Sequence, residues 1–436
     1  MNKLTWKDNF FIGLMLFALF FGAGNLIFPP FLGQEAGTSY LPAIIGFVIT
    51  GVGLPVLGII AVSLSGQSFQ GIAERVNKPF ALLFMIILYA SIGPFFGIPR
   101  AANVSYEMGI VPLLPENGSN MALFLFSLLF FGLVFLLSLN PNKLVTTIGY
   151  VITPALLLSI ILLVAGAYVT GFMGGGGPPS NEYASQAIGR GFVEGYLTMD
   201  TIAALAFGLI VVNTLKEKGA LDRREVRRSA ASAGIIAGIG LAAVYIAIGW
   251  LGVHSGPRML MENGSEILTY SAGESFGFTG TILLGLIVTL ACLTTCIGLV
   301  TACSQYFHRY LSFLPYSVLA LLLTVLSLLV GNLGLNTIIS LSVPLLVAIY
   351  PLAIVLILMA LLNEKITLHR SHYIGAIAGT IVVSAYDGLK EAGLVPIEGV
   401  GLYSLLPFFE LNLGWILPAL IGFVIGHCFR SKSISY

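Results

Sequence analysis

The sequence is poor in charged residues. Only 9% of its 436 residues are Asp, Glu, Lys or Arg, whereas 57% are hydrophobic and the mean hydropathy is +0.97. Soluble domains carry about 25% charged residues, so this chain cannot cover a water-facing surface and its solvent must be lipid. The formal net charge is +1, which gives no reason to expect a nucleic-acid partner.

Cysteines and catalytic motifs are also scarce. None of the four cysteines lies in an obvious outer loop, so we expect no disulfide framework. Three of them share one helix face, which would suit a soft metal, but small residues packing between helices is the interpretation we favour. No HExxH motif, Walker A lysine or pair of mid-membrane aspartates occurs; we therefore expect a transporter without a cofactor rather than an enzyme or an ATP-driven pump. The cysteines are Cys292, Cys296, Cys303 and Cys428.

The sequence has long apolar runs instead. Runs near twenty residues without period-two alternation predict membrane-spanning helices rather than a barrel. We predict an all-α polytopic membrane protein of about 12 transmembrane helices, with residues 1–436 forming a single transporter domain. The predicted spans are 9–33, 41–63, 79–99, 120–139, 144–169, 190–214, 227–253, 277–306, 313–331, 334–362, 372–387 and 412–429.

Basic residues in the loops predict the orientation. With the N-terminus inside, this layout puts 16 of the 20 Lys and Arg residues inside and leaves only Arg100, Arg190, Arg258 and Lys390 outside. Basic residues favour the cytoplasmic side, so both termini are predicted to be cytoplasmic. Membrane lipid is the expected surrounding, and no obligatory protein partner is evident.

Span one contains a polar interruption. Gly22, Gly24 and Asn25 are poor helix formers at mid-depth, and Pro29 and Pro30 lack backbone donors. Glycines alone also occur at contacts between intact membrane helices. A Gly-Ala-Gly-Asn run followed by two prolines is more specific, and it predicts a break in this helix.

Span six carries Asp200, the one carboxylate that we predict at membrane depth. An ionised carboxylate there costs at least about 2.5 kcal/mol on insertion scales. Its side chain could cap a half-helix that begins at this point, or it could attract an ammonium group or a cation. The two interpretations are compatible, and we favour the functional one.

The two interrupted spans lie five spans apart. A unit with an odd number of spans, repeated once, reappears inverted, and broken helices in corresponding positions point to a transporter binding site. A half-helix that starts at mid-membrane presents amides to an anion, and one that ends there presents carbonyls to a cation. A zwitterionic amino acid fits both. The predicted parts are a first five-helix repeat at 1–173, an inverted second repeat at 187–363, and two additional C-terminal helices at 364–436.

Span eight contains two adjacent threonines, Thr294 and Thr295. Their hydroxyls, with a nearby carbonyl, are hard oxygen ligands of the type that small cations use. Alternatively, both hydroxyls bond back to carbonyls of their own helix. From spacing alone, back-bonding is the interpretation that we favour.

These residues resemble the branched-chain amino acid:cation symporters, the BrnQ (LIVCS) family. The resemblance extends from Trp6-Lys7-Asp8 to the twelfth span, and the stretch Gly22 to Pro30 is its most specific part. The family is similar to the wider LeuT fold, with a 5+5 inverted repeat and broken helices 1 and 6. It implies import of Leu, Ile or Val by alternating access across a bacterial cytoplasmic membrane, coupled to Na⁺ or, alternatively, to H⁺.

The resemblance also implies site residues. The run from Gly22 to Asn25 matches the unwound segment whose amides hold the substrate carboxylate, and the Ala291, Thr294 and Thr295 pattern matches a second sodium site. The arginine of the wider fold before Phe28 is absent. Arg100 could replace it as an outer gate, but we expect an interfacial arginine. The candidate substrate-binding residues are Ala23, Gly24, Asn25, Thr198, Asp200, Thr201, Ala203 and Ala204. The candidate Na⁺ ligands are Ala18, Phe21, Ala291, Thr294 and Thr295.

The sequence is also compatible with other functions. A LeuT-fold transporter of another small solute is the nearest alternative, and a divalent-metal carrier is the most specific case. It would need carboxylate or thioether ligands in both breaks, and span one offers only Asn25. A channel or a sensor is less favoured, because no charged ring, filter motif or large soluble domain occurs.

Overall fold

The computed structural model describes residues 5–65, 68–114, 120–139, 141–170, 175–220, 222–255, 260–396 and 401–429. Arg258, predicted to lie outside, and the predicted cytoplasmic C-terminus fall outside these ranges. The described residues form helices and no strands, so the all-α prediction is confirmed. The helices are α1 Trp6–Phe20, α2 Ala23–Ala36, α3 Tyr40–Val48, α4 Leu54–Ser65, α5 Phe69–Ala73, α6 Lys78–Ala90, α7 Gly97–Gly109, α8 Asn120–Ser138, α9 Pro141–Val169, α10 Asn181–Glu194, α11 Asp200–Glu217, α12 Arg223–Ser255, α13 Gly264–Tyr310, α14 Tyr316–Gly331, α15 Leu335–Asn363, α16 Arg370–Glu391 and α17 Ile416–Cys428.

Several helices present apolar surface to their surroundings. Along α8, Leu125, Leu129 and Leu136 have 57–65% of their surface exposed, as expected where lipid covers a helix. Six helical stretches within the described ranges are each long and apolar enough to cross a membrane. The chain is therefore a multi-pass membrane protein, while the count of twelve spans and the 5+5 repeat remain predictions.

Span three differs from its prediction. The helix does not end near residue 99: a π-helical turn at Ser91–Phe95 leads from α6 into α7, which runs to Gly109. Gly93 has non-helical torsions and Pro94 lacks a donor within this turn, so a kink replaces the predicted end. Arg100, predicted at the outer end of the span, therefore lies inside it.

Span eight also begins earlier than predicted. Helix α13 starts at Gly264 and runs to Tyr310, with a kink at Gly277, where φ is +63°. The apolar pattern changes at this kink because the first part carries Glu266 and Glu274. Hydropathy therefore places the start of this span at the kink instead of at Gly264.

Close backbone contact holds α12 against α2. A Cβ on Gly252 would lie 1.9 Å from the carbonyl oxygen of Pro30, so only glycine allows the two backbones to approach this closely. The same packing brings the fully buried Tyr245 of α12 beside the first turn of α2. It also positions one wall of the site described next.

Candidate functional site

The first element of the site is the break in span one. Helix α1 ends at Phe20, and the Gly22 backbone is extended, with φ −124° and ψ −164°. The Gly22 amide donates to Asn25 Oδ1 at 3.2 Å instead of continuing the helical ladder toward Ala18. The predicted break is present, but it is narrower than expected. Pro29 and Pro30 lie inside α2, because neighbouring helices can satisfy the groups that such prolines free.

The second element is the break in span six. Helix α10 ends at Glu194, a 3₁₀ turn covers Gly195–Thr198, and α11 begins at Asp200. Between them, Met199 adopts a left-handed conformation with φ +68°. This conformation costs about 1–2 kcal/mol for a residue with a Cβ. Such strain persists only where surrounding contacts impose it, and it clusters at functional sites.

Asp200 joins the two breaks. Its Oδ2 accepts hydrogen bonds from Asn25 Nδ2 at 2.8 Å and from the Tyr245 hydroxyl, and Asn25 Nδ2 also donates to Tyr245. Only 2% of Asp200 is exposed. The partners of its Oδ2 in the described part of the chain are side chains of α2 and α12 rather than amides of α11, so the capping alternative finds no support.

The two breaks enclose a small cavity. Its volume is about 30 Å³, room for about two water molecules, so it must widen before it holds an amino acid. Its charged lining residues are Arg100 and Asp200, and the other walls are mostly apolar. The lining residues are Leu19, Phe20, Gly22, Ala23, Gly24, Asn25, Ile92, Gly97, Arg100, Ala101, Thr198, Met199, Asp200, Ala203, Phe207, Thr295 and Leu299.

Six of the eight predicted substrate residues line this cavity, and Thr201 and Ala204 do not. The reason is helical geometry. Asp200, Ala203 and Phe207 share one face of α11 at i, i+3 and i+7. Thr201 points about 100° away from Asp200, whereas Ala204 lies at the edge of that face and packs toward Gly58 of α4. The six are Ala23, Gly24, Asn25, Thr198, Asp200 and Ala203.

Arg100 corrects a prediction. It is not an interfacial side chain, because only 2% of it is exposed and it lines the cavity. Its Nη1 donates to the Leu197 carbonyl at 2.8 Å and its Nη2 to the Thr198 carbonyl at 3.2 Å. The guanidinium also lies over the Phe28 ring, 5.2 Å from its centroid. Sequence reasoning missed it because an arginine beside an apolar run looks the same whether the helix ends or continues.

The predicted cation ligands are only partly brought together. Thr295 Oγ1 lies within hydrogen-bond distance of the Phe21 carbonyl in the span-one break, at 3.0 Å, and of the Ala291 carbonyl of its own helix, at 3.2 Å. Thr294 Oγ1 instead bonds back to the Leu290 carbonyl at 2.7 Å. Span eight therefore contacts the break in span one through Thr295. The carbonyl of Ala18, another predicted cation ligand, lies one helical turn before this break.

The cysteines of α13 pack between helices. Cys292, Cys296 and Cys303 are buried and free. The Cys296 thiol approaches the Ile98 carbonyl at 3.7 Å and the Cys303 thiol the Tyr89 carbonyl at 3.5 Å. No group of three His, Cys, Asp or Glu side chains within the described ranges could hold a metal ion.

Asp200 is not the only buried carboxylate. Glu194 is 7% exposed and pairs with Arg190 Nη2 at 3.3 Å. Asp387 of α16 is fully buried, and neither of its oxygens has a hydrogen-bond partner in the described part of the chain. Both lie near the ends of predicted spans, where hydropathy gives no sign that neighbouring helices will bury them.

Tyr245 is a site residue without a sequence signal. It is 220 residues from Asn25 along the chain, and its neighbours in α12 are apolar and form no recognisable motif with it. Met199 and Phe207 also line the cavity. Apolar side chains at helical spacing give the same sequence pattern whether they line a pocket or pack in a core, so these two site residues could not be identified from the sequence.

Known proteins resemble this chain over its whole length. The sequence pattern of the family described as "Branched-chain amino acid transport protein" matches residues 5–433. The branched-chain amino acid permease BraB of Bacillus subtilis is 44% identical over 98% of this chain and 96% of its own length. The permease BrnQ of the same organism is 46% identical over 99% of both chains.

A solved structure shows the same fold. The nucleobase-cation-symport-1 family transporter Mhp1, in a closed conformation with bromovinylhydantoin bound, superposes with a TM-score of 0.62 at 16% identity. The match covers 96% of this chain and 92% of that one. The LeuT-like architecture expected from the sequence is therefore confirmed.

Proposed function

The chain belongs to the branched-chain amino acid transport protein family, and from that premise we propose that it imports leucine, isoleucine and valine by cation-coupled symport. A member of this family is a transporter and not an enzyme. The proposed setting is a bacterial cytoplasmic membrane with both chain termini on the cytoplasmic side. The proposed mechanism is alternating access around the cavity between the two broken helices.

The observation that carries this proposal is the charge pattern of the cavity. One arginine and one aspartate line it, and apolar groups such as Ile92, Ala203 and Phe207 form much of the remaining wall. A zwitterion with an apolar side chain matches this pattern, since a charged substrate side chain would lack a counter-ion. Asp200 suits the ammonium, and the first amides of α2, at Ala23 and Gly24, suit the carboxylate.

The proposed coupling ion is Na⁺, with H⁺ as the alternative. The Thr295 hydroxyl of α13 and the Phe21 carbonyl at the span-one break supply two oxygens 3.0 Å apart. The Ala18 and Ala291 carbonyls and the Thr294 hydroxyl would complete an all-oxygen site of the kind that hard cations prefer. Because this site adjoins the cavity, a bound cation would stabilise the span-one break, whose amides would bind the substrate carboxylate.

Uptake of labelled leucine into proteoliposomes tests the proposal. An inward Na⁺ gradient should drive accumulation, and unlabelled isoleucine and valine should compete while lysine and glutamate should not. A matched experiment with a proton gradient and no Na⁺ identifies the alternative ion. Absence of leucine uptake under both gradients, with correctly inserted protein, would refute the proposed substrate.

A further inference from the structure

Arg100 is a buried cation that forms no direct ion pair with a carboxylate of the described ranges. Only 2% of it is exposed. Ion pairs within the described ranges are formed by Arg190, Lys218 and Arg227, among others, but Arg100 has none there. Its guanidinium donates to the Leu197 and Thr198 carbonyls, and its Nε has no hydrogen-bond partner among the residues that the structure describes. Neutral carbonyls do not neutralise a guanidinium, so an anion bonded directly to it would stabilise this buried charge.

The guanidinium lies where an anion would be bound. A Cβ built on Gly24 would fall 2.7 Å from Arg100 Nη2, so the side chain reaches the first turn of α2. That turn presents free amides and the positive end of a helix dipole. Asp200 lines the same cavity and interacts with Arg100 through space, but its Oδ2 is already held by Asn25 and Tyr245.

We propose that Arg100 binds the α-carboxylate of the amino-acid substrate together with the first amides of α2. This inference rests on the proposed transport of amino acids. A guanidinium and a carboxylate form paired, charge-assisted hydrogen bonds that are stronger than bonds to neutral carbonyls. The substrate carboxylate therefore displaces the Thr198 and Leu197 carbonyls from Arg100.

This exchange links binding to the shape of span six. In the structure Arg100 ties the end of the Gly195–Thr198 turn to α7, and the cavity has only about 30 Å³. When the substrate carboxylate replaces the Leu197 and Thr198 carbonyls as the acceptor of the Arg100 hydrogen bonds, the Gly195–Thr198 turn is no longer held to α7 and the cavity can widen. Arg100 thus binds the substrate and, in its absence, holds the break in span six closed.

A purely structural role for Arg100 makes a different prediction. If Arg100 only fixes the position of span six, its replacement lowers the affinity for every ligand equally. If it binds the carboxylate, its replacement weakens only ligands that have one. Leucinol keeps the side chain and the amine of leucine but lacks the carboxylate, so the two ligands separate the two roles.

The experiment measures dissociation constants of leucine and leucinol for purified protein by calorimetry, titrating each to its solubility limit. The wild type should prefer leucine by about tenfold or more. In Arg100→Gln that preference should collapse through loss of leucine affinity, while leucinol binding changes by less than about threefold. Arg75→Gln is the matched control, because Arg75 is exposed and bonds to Tyr373; it should behave as wild type.

Each remaining outcome has a defined meaning. An unchanged preference for leucine in Arg100→Gln, or an equal loss for both ligands, would overturn the inference. A wild type that binds neither ligand would contradict the proposed function itself. If Arg100→Gln does not fold, Arg100→Lys decides: it keeps the charge without the paired donors and should lose leucine affinity selectively.

Discussion

Gly24 lies at the point where the two broken spans touch, so one added methyl group there tests the geometry of the site. In Gly24→Ala the new Cβ would lie 2.8 Å from the Thr198 carbonyl oxygen and 3.0 Å from Thr198 Cα. Favourable carbon contacts are about 3.5–4.0 Å. The flexible tip of Arg100 could move away, but the Thr198 backbone must shift with the whole turn.

The expected magnitude follows from this overlap. Inserting a methyl group into a well-packed site costs about 1–3 kcal/mol. The methyl group would also occupy the cavity that the substrate needs, so most of this penalty should appear in binding. We expect leucine affinity to fall by about tenfold to a hundredfold.

The assay combines leucine binding with thermal unfolding of the protein in detergent. Gly132→Ala is the matched control, because a Cβ on Gly132 of α8 meets nothing within 4 Å. The control should bind leucine as the wild type does and unfold at the same or a slightly higher temperature. Wild-type leucine affinity in Gly24→Ala would refute the close contact between the two breaks.

Two further predictions concern the cation and the topology. In Thr295→Val the half-saturating Na⁺ concentration for leucine uptake should rise more than in Thr294→Val, because only the Thr295 hydroxyl reaches the Phe21 carbonyl; equal sodium dependence in both variants and the wild type would contradict the cation site. A cysteine at Lys218, whose ammonium pairs with Asp8 at 3.6 Å, should react with impermeant reagents only from the cytoplasmic side, and labelling from outside would invert the proposed orientation.

Much of the architecture could be predicted from the sequence alone. Low charge and long apolar runs determine a helical membrane protein, because lipid cannot satisfy backbone polar groups. The run from Gly22 to Asn25 and the lone Asp200 mark both interrupted helices, because glycine and a buried carboxylate each carry a local cost that an ordinary span avoids. These signals depend on neighbouring residues, so no tertiary information is needed to read them.

The details of the site depended on the tertiary structure. Arg100 looks like an interfacial arginine until the kink at Ser91–Phe95 shows that its helix continues inward. Tyr245 reaches Asp200 only because α12 packs closely on α2. Such contacts join residues far apart in the chain, and hydropathy averages over neighbours cannot represent them.

The adjacent threonines show the same division on a smaller scale. The sequence identifies the pair as possible oxygen ligands, but successive residues on a helix point about 100° apart. Which hydroxyl faces span one is set by the rotation of α13 against α1 and α2. That rotation directs Thr295 to the break and leaves the Thr294 hydroxyl on a carbonyl of its own helix; the sequence by itself determined the ligand chemistry, and packing decided which of the two hydroxyls contacts span one.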